Sequence, residues 1–233
     1  MNHSDVRTFD ERLVSISAGE VVLEGNLNLP DDARAIVLFA HGSGSSRHSS
    51  RNRHVARLLN EARLATLLID LLTAGEDAID LQTARFRFDI ELLSERLVGA
   101  TDWLTQSVDT SHLRIGYFGA STGAAAALVA AALRADAIGA VVSRGGRPDL
   151  AGAALTRVRA PTLLIVGGDD GHVIELNREA LGHLRCEKQF VIVPGATHLF
   201  EEPGALDEVA RLARDWFLRH LVSLTQQAAG VGE

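Results

Sequence analysis

The stretch GYFGASTG, residues 116–123, joins a predicted strand to a predicted helix and contains the pattern G-x-S-x-G. The strand is predicted over residues 114–119 and the helix over residues 122–134. Such a turn is sharp and strained, and it exposes the serine Oγ at the carboxyl edge of a sheet. Because strand and helix nearly touch there, Gly119 and Gly123 supply the small residues that the turn needs. Ser121 is therefore a candidate nucleophile, although the pattern alone also recurs by chance.

A base and an orienting acid follow this serine in the chain. The predicted strand TLLIVG, residues 162–167, leads into Gly168-Asp169-Asp170-Gly171-His172. The predicted strand at residues 188–193 leads into Gly195-Ala196-Thr197-His198. The order serine, aspartate, histidine, each after a strand, is typical of nucleophilic catalysis on a parallel α/β sheet. The order makes His198 the candidate base and leaves Asp169 and Asp170 as alternative acids.

The rest of the chain alternates short apolar runs with helical patterns, which indicates βαβ units and a mostly parallel sheet. We expect a single domain over residues 1–233 with an N-terminal antiparallel hairpin, helices on both faces of the sheet and a loose tail from about residue 225. The segment between Ser143 and Thr162 is too short for a cap domain. The remaining predicted strands cover residues 13–17, 21–29, 35–40, 65–70 and 140–143, the remaining helices cover 53–62, 89–106, 173–184 and 204–222, and residues 71–88 form a connection.

The segments HGSG, GASTG, VGGDD and GATH occur in an order that resembles the α/β-hydrolase superfamily, and within it the dienelactone hydrolase-like small esterases. The resemblance covers residues 35–221. It implies the α/β-hydrolase fold, Ser121 as nucleophile and His198 as base. It favours Asp170 as the acid, three residues beyond the first glycine of its turn, with Asp169 as the alternative. Many dienelactone hydrolases carry cysteine where this chain has Ser121, which weakens the case for a lactone substrate.

The resemblance also implies an oxyanion hole. The His41-Gly42 turn would supply the backbone N–H of Ser43, and Thr122 would supply the second N–H. His41 itself is a candidate substrate-binding residue, although a structural ring bonded to nearby backbone is the favoured interpretation. Arg144 and Arg147 follow a strand on the same edge and are candidates for binding a substrate carboxylate.

Composition restricts the partners. The 23 basic and 30 acidic residues give a net charge of -7, which disfavours nucleic acid. The single cysteine, Cys186, excludes an internal disulfide and a CxxC motif and fits a cytoplasmic protein. We find no signal peptide and no membrane span in the sequence. The expected partner is a small-molecule ester, with no metal and no cofactor, and the sequence carries no signal for an oligomeric state.

Two other functions compete with a serine hydrolase of small esters, lactones or thioesters. Gly42-Ser43-Gly44-Ser45-Ser46-Arg47 and the strand-end Asp70 resemble a dinucleotide-binding fingerprint, which would indicate an oxidoreductase. Its third glycine is replaced by Arg47. A non-catalytic small-molecule receptor on the same fold is the other alternative.

Overall fold

The computed structural model describes residues 11–222. Its strands are β1 (Glu11–Ala18), β2 (Val21–Asn28), β3 (Ala35–Ala40), β4 (Leu64–Ile69), β5 (Ile115–Ala120), β6 (Ile138–Arg144), β7 (Thr162–Gly167) and β8 (Lys188–Val193). Its helices are α1 (Ser50–Glu61), α2 (Ala74–Thr83), α3 (Ile90–Gln106), α4 (Thr122–Leu133), α5 (Gly171–His183) and α6 (Ala205–Leu221), with a kinked 3₁₀ segment at Pro148–Arg157.

All eight strands form one sheet in the order β1-β2-β4-β3-β5-β6-β7-β8. The β1-β2 hairpin is antiparallel and joins β4 in antiparallel orientation. The other neighbouring strands are parallel. The predicted arrangement of a mostly parallel sheet with an N-terminal antiparallel hairpin is therefore confirmed.

Helices cover both faces of the sheet, which explains why the central strands are mainly apolar. Helices α1 and α6 pack on one face, where Phe39, Phe118 and Phe217 are buried together. Helices α3, α4 and α5 contribute to the core on the other face, around Leu38 and Tyr117. Strands β3, β4, β5 and β7 are buried at every residue. The parallel strands therefore end together at one carboxyl edge, which is the edge that Ser121 follows.

The connection predicted over residues 71–88 is wrong, because it contains α2. Thr73 and Glu76 form a reciprocal capping box at the start of this helix. Its apolar residues Ile79 and Leu81 are exposed, so the helix has no buried apolar stripe for a periodicity search to find. The 3₁₀ segment was also not predicted, but it is short, so the connection between β6 and β7 holds no cap domain.

Three further expectations concern the ends of the chain and one histidine. The tail predicted from residue 225 lies outside the described residues. Within residues 11–222, no helix combines the length and the apolar character that a bilayer span needs. The sequence predicts His220, near the end of the closing helix, to be a surface residue; it is instead largely buried against Trp216, with ring centroids 4.3 Å apart.

Candidate active site

Ser121 occupies the sharp turn between β5 and α4. Its backbone has φ 50° and ψ −121°, a conformation that a non-glycine residue adopts at a cost. Two main-chain hydrogen bonds hold it there: Ser121 N donates to Arg144 O (3.3 Å), and Arg147 N donates to Ser121 O (3.1 Å). The strained turn is thus fastened to the loop that follows β6.

Two glycines allow β5 and α4 to approach each other. A Cβ at Gly119 would lie 2.4 Å from the Cα of Ala124, and a Cβ at Gly123 would lie 2.4 Å from the carbonyl oxygens of Ala40 and His41. Both distances are far inside van der Waals contact, and the atoms met are backbone. The small residues on either side of Ser121 are therefore a steric requirement of the turn.

Replacing Gly123 by alanine should lower the free energy of unfolding by about 3 kcal/mol or more, since overpacking a rigid site costs about 1–3 kcal/mol and backbone cannot rotate aside. Gly182→Ala is the matched control, because a Cβ at this helical glycine meets no atom within 4 Å. The control should be neutral or more stable by up to about 1 kcal/mol. Urea denaturation of both variants measures the difference, and equal stabilities would contradict the steric argument.

His198 and Asp170 form a hydrogen-bonded pair at the same edge of the sheet. His198 Nδ1 lies 2.6 Å from Asp170 Oδ2. Asp170 follows β7, and His198 follows β8. The neighbouring Asp169 is exposed, and its backbone N–H donates to Ala196 O (3.0 Å). Of the two aspartates that the sequence offers, Asp170 is the one that contacts the histidine.

The loop after β6 connects this pair with Ser121. A Cβ at Gly145 would lie 3.1 Å from His198 O and 3.6 Å from His198 Cε1. Arg144 and Arg147, on either side of this loop, bond to the backbone of Ser121. Within residues 11–222 the Ser121 hydroxyl has no hydrogen bond to His198, and such contacts often tighten only when substrate binds. The arrangement suits proton transfer from a serine to an imidazole whose far nitrogen is fixed by a carboxylate.

Backbone donors surround the serine. Helix α4 begins at Thr122, so the N–H groups of Thr122 and Gly123 have no acceptor within the helix. The turn after β3 passes close by, because a Cβ at Gly42 would lie 3.0 Å from Ser121 Cβ. Ser43 and Thr122 line one small cleft together. The two residues expected to form an oxyanion hole are thus neighbours.

His41 lies beneath this cleft as a structural residue. It is 8% exposed. Its Nε2 accepts a hydrogen bond from Leu71 N (3.1 Å), and its Nδ1 donates to Gly42 O (2.9 Å). Both ring nitrogens of His41 are occupied by backbone groups, which favours the interpretation of His41 as a structural ring over a role in substrate binding.

The buried ring of His41 should make stability depend on pH. Burial lowers the pKa of His41 below its ordinary value of 6.5, against the opposing effects of the Gly42 hydrogen bond and of Asp70 and Asp77. Burial also lowers the pKa of His220. Below about pH 6.5 the unfolded chain therefore binds more protons than the folded one, and the free energy of unfolding falls as pH falls.

The expected slope is at most about 1.4 kcal/mol per pH unit for each histidine. Urea denaturation between about pH 7 and pH 5 measures it. His41→Gln should be less stable at neutral pH but should show a flatter dependence in this interval. An undiminished slope in the variant would show that His41 does not cause it.

Comparison with known proteins decides the family. The model of the dienelactone hydrolase family matches residues 23–227. The chain belongs to the dienelactone hydrolase family. It is 64% identical to a dienelactone hydrolase from Anabaena variabilis, whose crystal structure matches with a TM-score of 0.90 over 91% of this chain and 99% of that chain. The resemblance to α/β hydrolases and the predicted fold are thereby confirmed.

Two further matches are a longer protein and a more distant one. The chain is 58% identical over 208 residues to the Mycobacterium tuberculosis protein named "Putative phosphoribosyl transferase Rv0571c", covering 89% of this chain and 46% of that protein. It thus spans about half the length of this curated relative. Est1E from Butyrivibrio proteoclasticus is 17% identical with a TM-score of 0.73, over 89% of this chain and 98% of Est1E, a likeness of fold alone.

In this dienelactone hydrolase family member the two candidate carboxylate-binding arginines differ. Arg147 donates two hydrogen bonds to Asp149, at 2.9 and 2.8 Å, so its guanidinium is already neutralised. Arg144, predicted to follow the strand, is instead the last residue of β6 and is 6% exposed. Arg147 as a carboxylate-binding residue is therefore not supported, whereas Arg144 is a buried cation at the active edge.

Three residues near the site were missed in the sequence. Asp80 and Arg87 line the cleft beside Ser43, and Asp80 accepts hydrogen bonds from Phe86 N, Arg87 N and Arg87 Nε. These contacts, the Asp80–Arg87 clasp, form part of the wall of the cleft. They lie in the segment predicted as a connection, so the sequence did not indicate them. Phe200 is buried with φ 56° beside the loop after β6. A lone phenylalanine after the last strand gives no sequence signal for this contact.

The dinucleotide-binding alternative conflicts with the contacts of Asp70. Asp70 accepts a hydrogen bond from Arg47 N (2.7 Å). Its carboxylate also forms an ion pair with the Arg47 guanidinium. Arg47 also pairs with Glu24 (2.6 Å). A dinucleotide site would leave this carboxylate to bind a ribose. Here it fixes the loop after β3 instead.

Proposed function

We propose that this chain is a serine hydrolase that cleaves small carboxylic esters through an acyl-enzyme. The observation that carries the proposal is the His198–Asp170 hydrogen bond beside a strained, partly exposed Ser121. Membership in the dienelactone hydrolase family supports hydrolysis as the reaction class. The named transferase is a protein more than twice as long as the matched region, and no feature of the described residues favours that activity here.

In the proposed reaction Ser121 Oγ attacks the ester carbonyl carbon while His198 Nε2 accepts the Oγ proton. Asp170 accepts the Nδ1–H hydrogen bond, which fixes the tautomer and stabilises the imidazolium. The N–H groups of Ser43 and Thr122 hold the oxyanion. The C–O bond of the ester then breaks, and the leaving alcohol takes the proton from His198. Water repeats these steps on the acyl-enzyme and releases the acid.

The short connection between β6 and β7 limits the substrate. No cap domain covers the carboxyl edge in the described part of the chain, so a long acyl tail has little surface to bury against. We therefore propose short acyl esters, with lactones and thioesters as chemically related substrates. We further propose a cytoplasmic protein whose partner is a small molecule rather than nucleic acid or a membrane, because the chain is acidic and has one cysteine.

A series of p-nitrophenyl esters of increasing acyl length tests this proposal on the purified protein. We expect turnover that declines with chain length, and a burst of p-nitrophenol equal to the enzyme concentration where deacylation limits the rate. Binding of esters without turnover of any ester, lactone or thioester would instead favour the non-catalytic receptor.

A further inference from the structure

Within residues 11–222, Arg144 is a buried cation that lacks an acidic partner. Its Nη2 donates to Asn52 Oδ1 (3.2 Å), a neutral acceptor. Its Nε is buried and has no hydrogen-bond partner within residues 11–222. The centroid of the Phe200 ring lies 5.9 Å from the guanidinium carbon. A buried charge normally requires a counter-ion and complete hydrogen bonding, and neither is present among the described residues.

A second guanidinium makes this environment more positive. Arg51, in the first turn of α1, also has a buried Nε without a partner in the described part of the chain. It pairs with Glu201 through Nη1 at 3.1 Å and keeps 31% of its side chain exposed. Burial, together with the charge of Arg51, lowers the pKa of Arg144 to about 10. The two cations therefore repel each other and leave two donors unused.

The amino end of α1 adds a third positive contribution. Ser49 caps the helix by accepting a hydrogen bond from Asn52 N (3.3 Å). The N–H groups of Ser50 and Arg51 have no acceptor within the helix. The first turn carries Arg51 and Arg53 but no acidic residue, although the helix dipole favours negative charge there. An anion at this position would meet free backbone donors and two guanidinium groups.

This cluster lies beside the reacting groups. Ser121 N donates to the carbonyl oxygen of Arg144. Gly145, the next residue, would place a Cβ 3.6 Å from the ring of His198 and 3.4 Å from the ring of Phe200. The backbone of Arg144 and Gly145 therefore adjoins both Ser121 and His198, which places the cluster next to the reacting residues in the fold.

We propose that Arg144, Arg51 and the amino end of α1 form a subsite for an anionic group of the substrate, a carboxylate or a phosphate. The inference rests on the proposed function, since it adds a negative charge to the ester that Ser121 attacks. Guanidinium groups suit both anions, because their paired N–H donors match two oxygens at once. Arg147 takes no part, because its Nε and Nη2 both donate to Asp149. Arg51 contacts Glu201 through Nη1 alone, and its Nε has no partner within residues 11–222.

Two p-nitrophenyl esters of matched length test the subsite: the neutral butyrate and the anionic hemisuccinate. Arg51→Gln should lower kcat/KM for the hemisuccinate about tenfold or more relative to the butyrate. Arg159→Gln is the matched control, because it removes an exposed cation paired with Asp136, before β7 at the opposite edge of the sheet. The control should change kcat/KM for both esters by the same factor. An unchanged ratio of the two substrates in Arg51→Gln would overturn the subsite.

Binding to an inactive protein separates this inference from the proposed function. Calorimetric titration of Ser121→Ala with succinate and with inorganic phosphate should show binding that weakens about tenfold when Arg51→Gln is added. Succinate binding alone would identify a carboxylate subsite, and phosphate binding alone a phosphate subsite. If the esters are not hydrolysed but anion binding depends on Arg51, the subsite stands and the proposed function fails. The subsite would be overturned if neither anion binds, or if Arg51→Gln leaves the affinity for both anions unchanged. Arg51 is varied rather than Arg144, because replacing the buried Arg144 would test folding as well as anion binding.

Discussion

Ser121→Ala should abolish ester turnover, with a loss on the order of a millionfold in kcat, as expected when a nucleophile that acts with a base is removed. The side chain contributes nothing visible to packing, since Ser121 is partly exposed and its hydroxyl makes no hydrogen bond to His198 in the described residues. The folded state should therefore survive. Initial rates with p-nitrophenyl acetate, together with circular dichroism and a thermal melt, measure both properties.

Ser111→Ala is the control for this experiment. Ser111 is an exposed serine in the turn between α3 and β5, at the opposite edge of the sheet. Its replacement should change kcat by no more than about twofold, as is usual for a surface substitution. Activity near the wild-type level in a clean preparation of Ser121→Ala would show that another group attacks the ester.

Asp170→Asn should lower kcat by about four orders of magnitude, because an amide in place of the carboxylate stabilises the wrong tautomer of the histidine. The 2.6 Å contact between Asp170 Oδ2 and His198 Nδ1 is the bond that changes. The adjacent Asp169→Asn removes the same charge one residue away, from an exposed side chain. Asp169→Asn should lower kcat by less than about tenfold.

This pair of variants separates local chemistry from the loss of one negative charge. A large effect of Asp169→Asn with a small effect of Asp170→Asn would place the acid one residue earlier in the chain. Two small effects would indicate that the imidazole is oriented by another group. Both rates are to be measured with the same short ester, under conditions in which acylation limits turnover.

The strands were predictable where burial on both faces imposes continuous apolar sequence. Strands β3, β7 and β8 begin and end at the predicted residues. Strand β6 is longer than predicted because Gly139 and the terminal Arg144 interrupt the apolar run. Helix α1 begins earlier than predicted, since a turn of polar residues gives no apolar period and only the cap at Ser49 marks its start. Periodicity thus locates elements that bury an apolar face and misses those that a cap defines.

The site was predictable to the extent that it follows strand ends. Ser121, Asp170 and His198 each come after a parallel strand, so topology alone brings them to one edge. The burial of Arg144 was not predictable, because it depends on Asn52 and Phe200, which are 92 and 56 residues away in the chain. The Asp80–Arg87 clasp depends on a helix that the sequence pattern hides. Contacts between segments that are far apart in the chain leave no local sequence pattern from which they could be predicted.

The main-chain fastening of Ser121 has a consequence for mutational tolerance. The turn is held by the backbone bonds to Arg144 and Arg147 and by the two glycines, and none of these involves the side chain at position 121. In a deep mutational scan scored separately for cellular abundance and for activity, alanine or cysteine at position 121 should preserve abundance. Larger residues at positions 119 and 123 should deplete it. The chain can therefore exchange its reacting atom, oxygen for sulfur, without first rebuilding the scaffold that presents it.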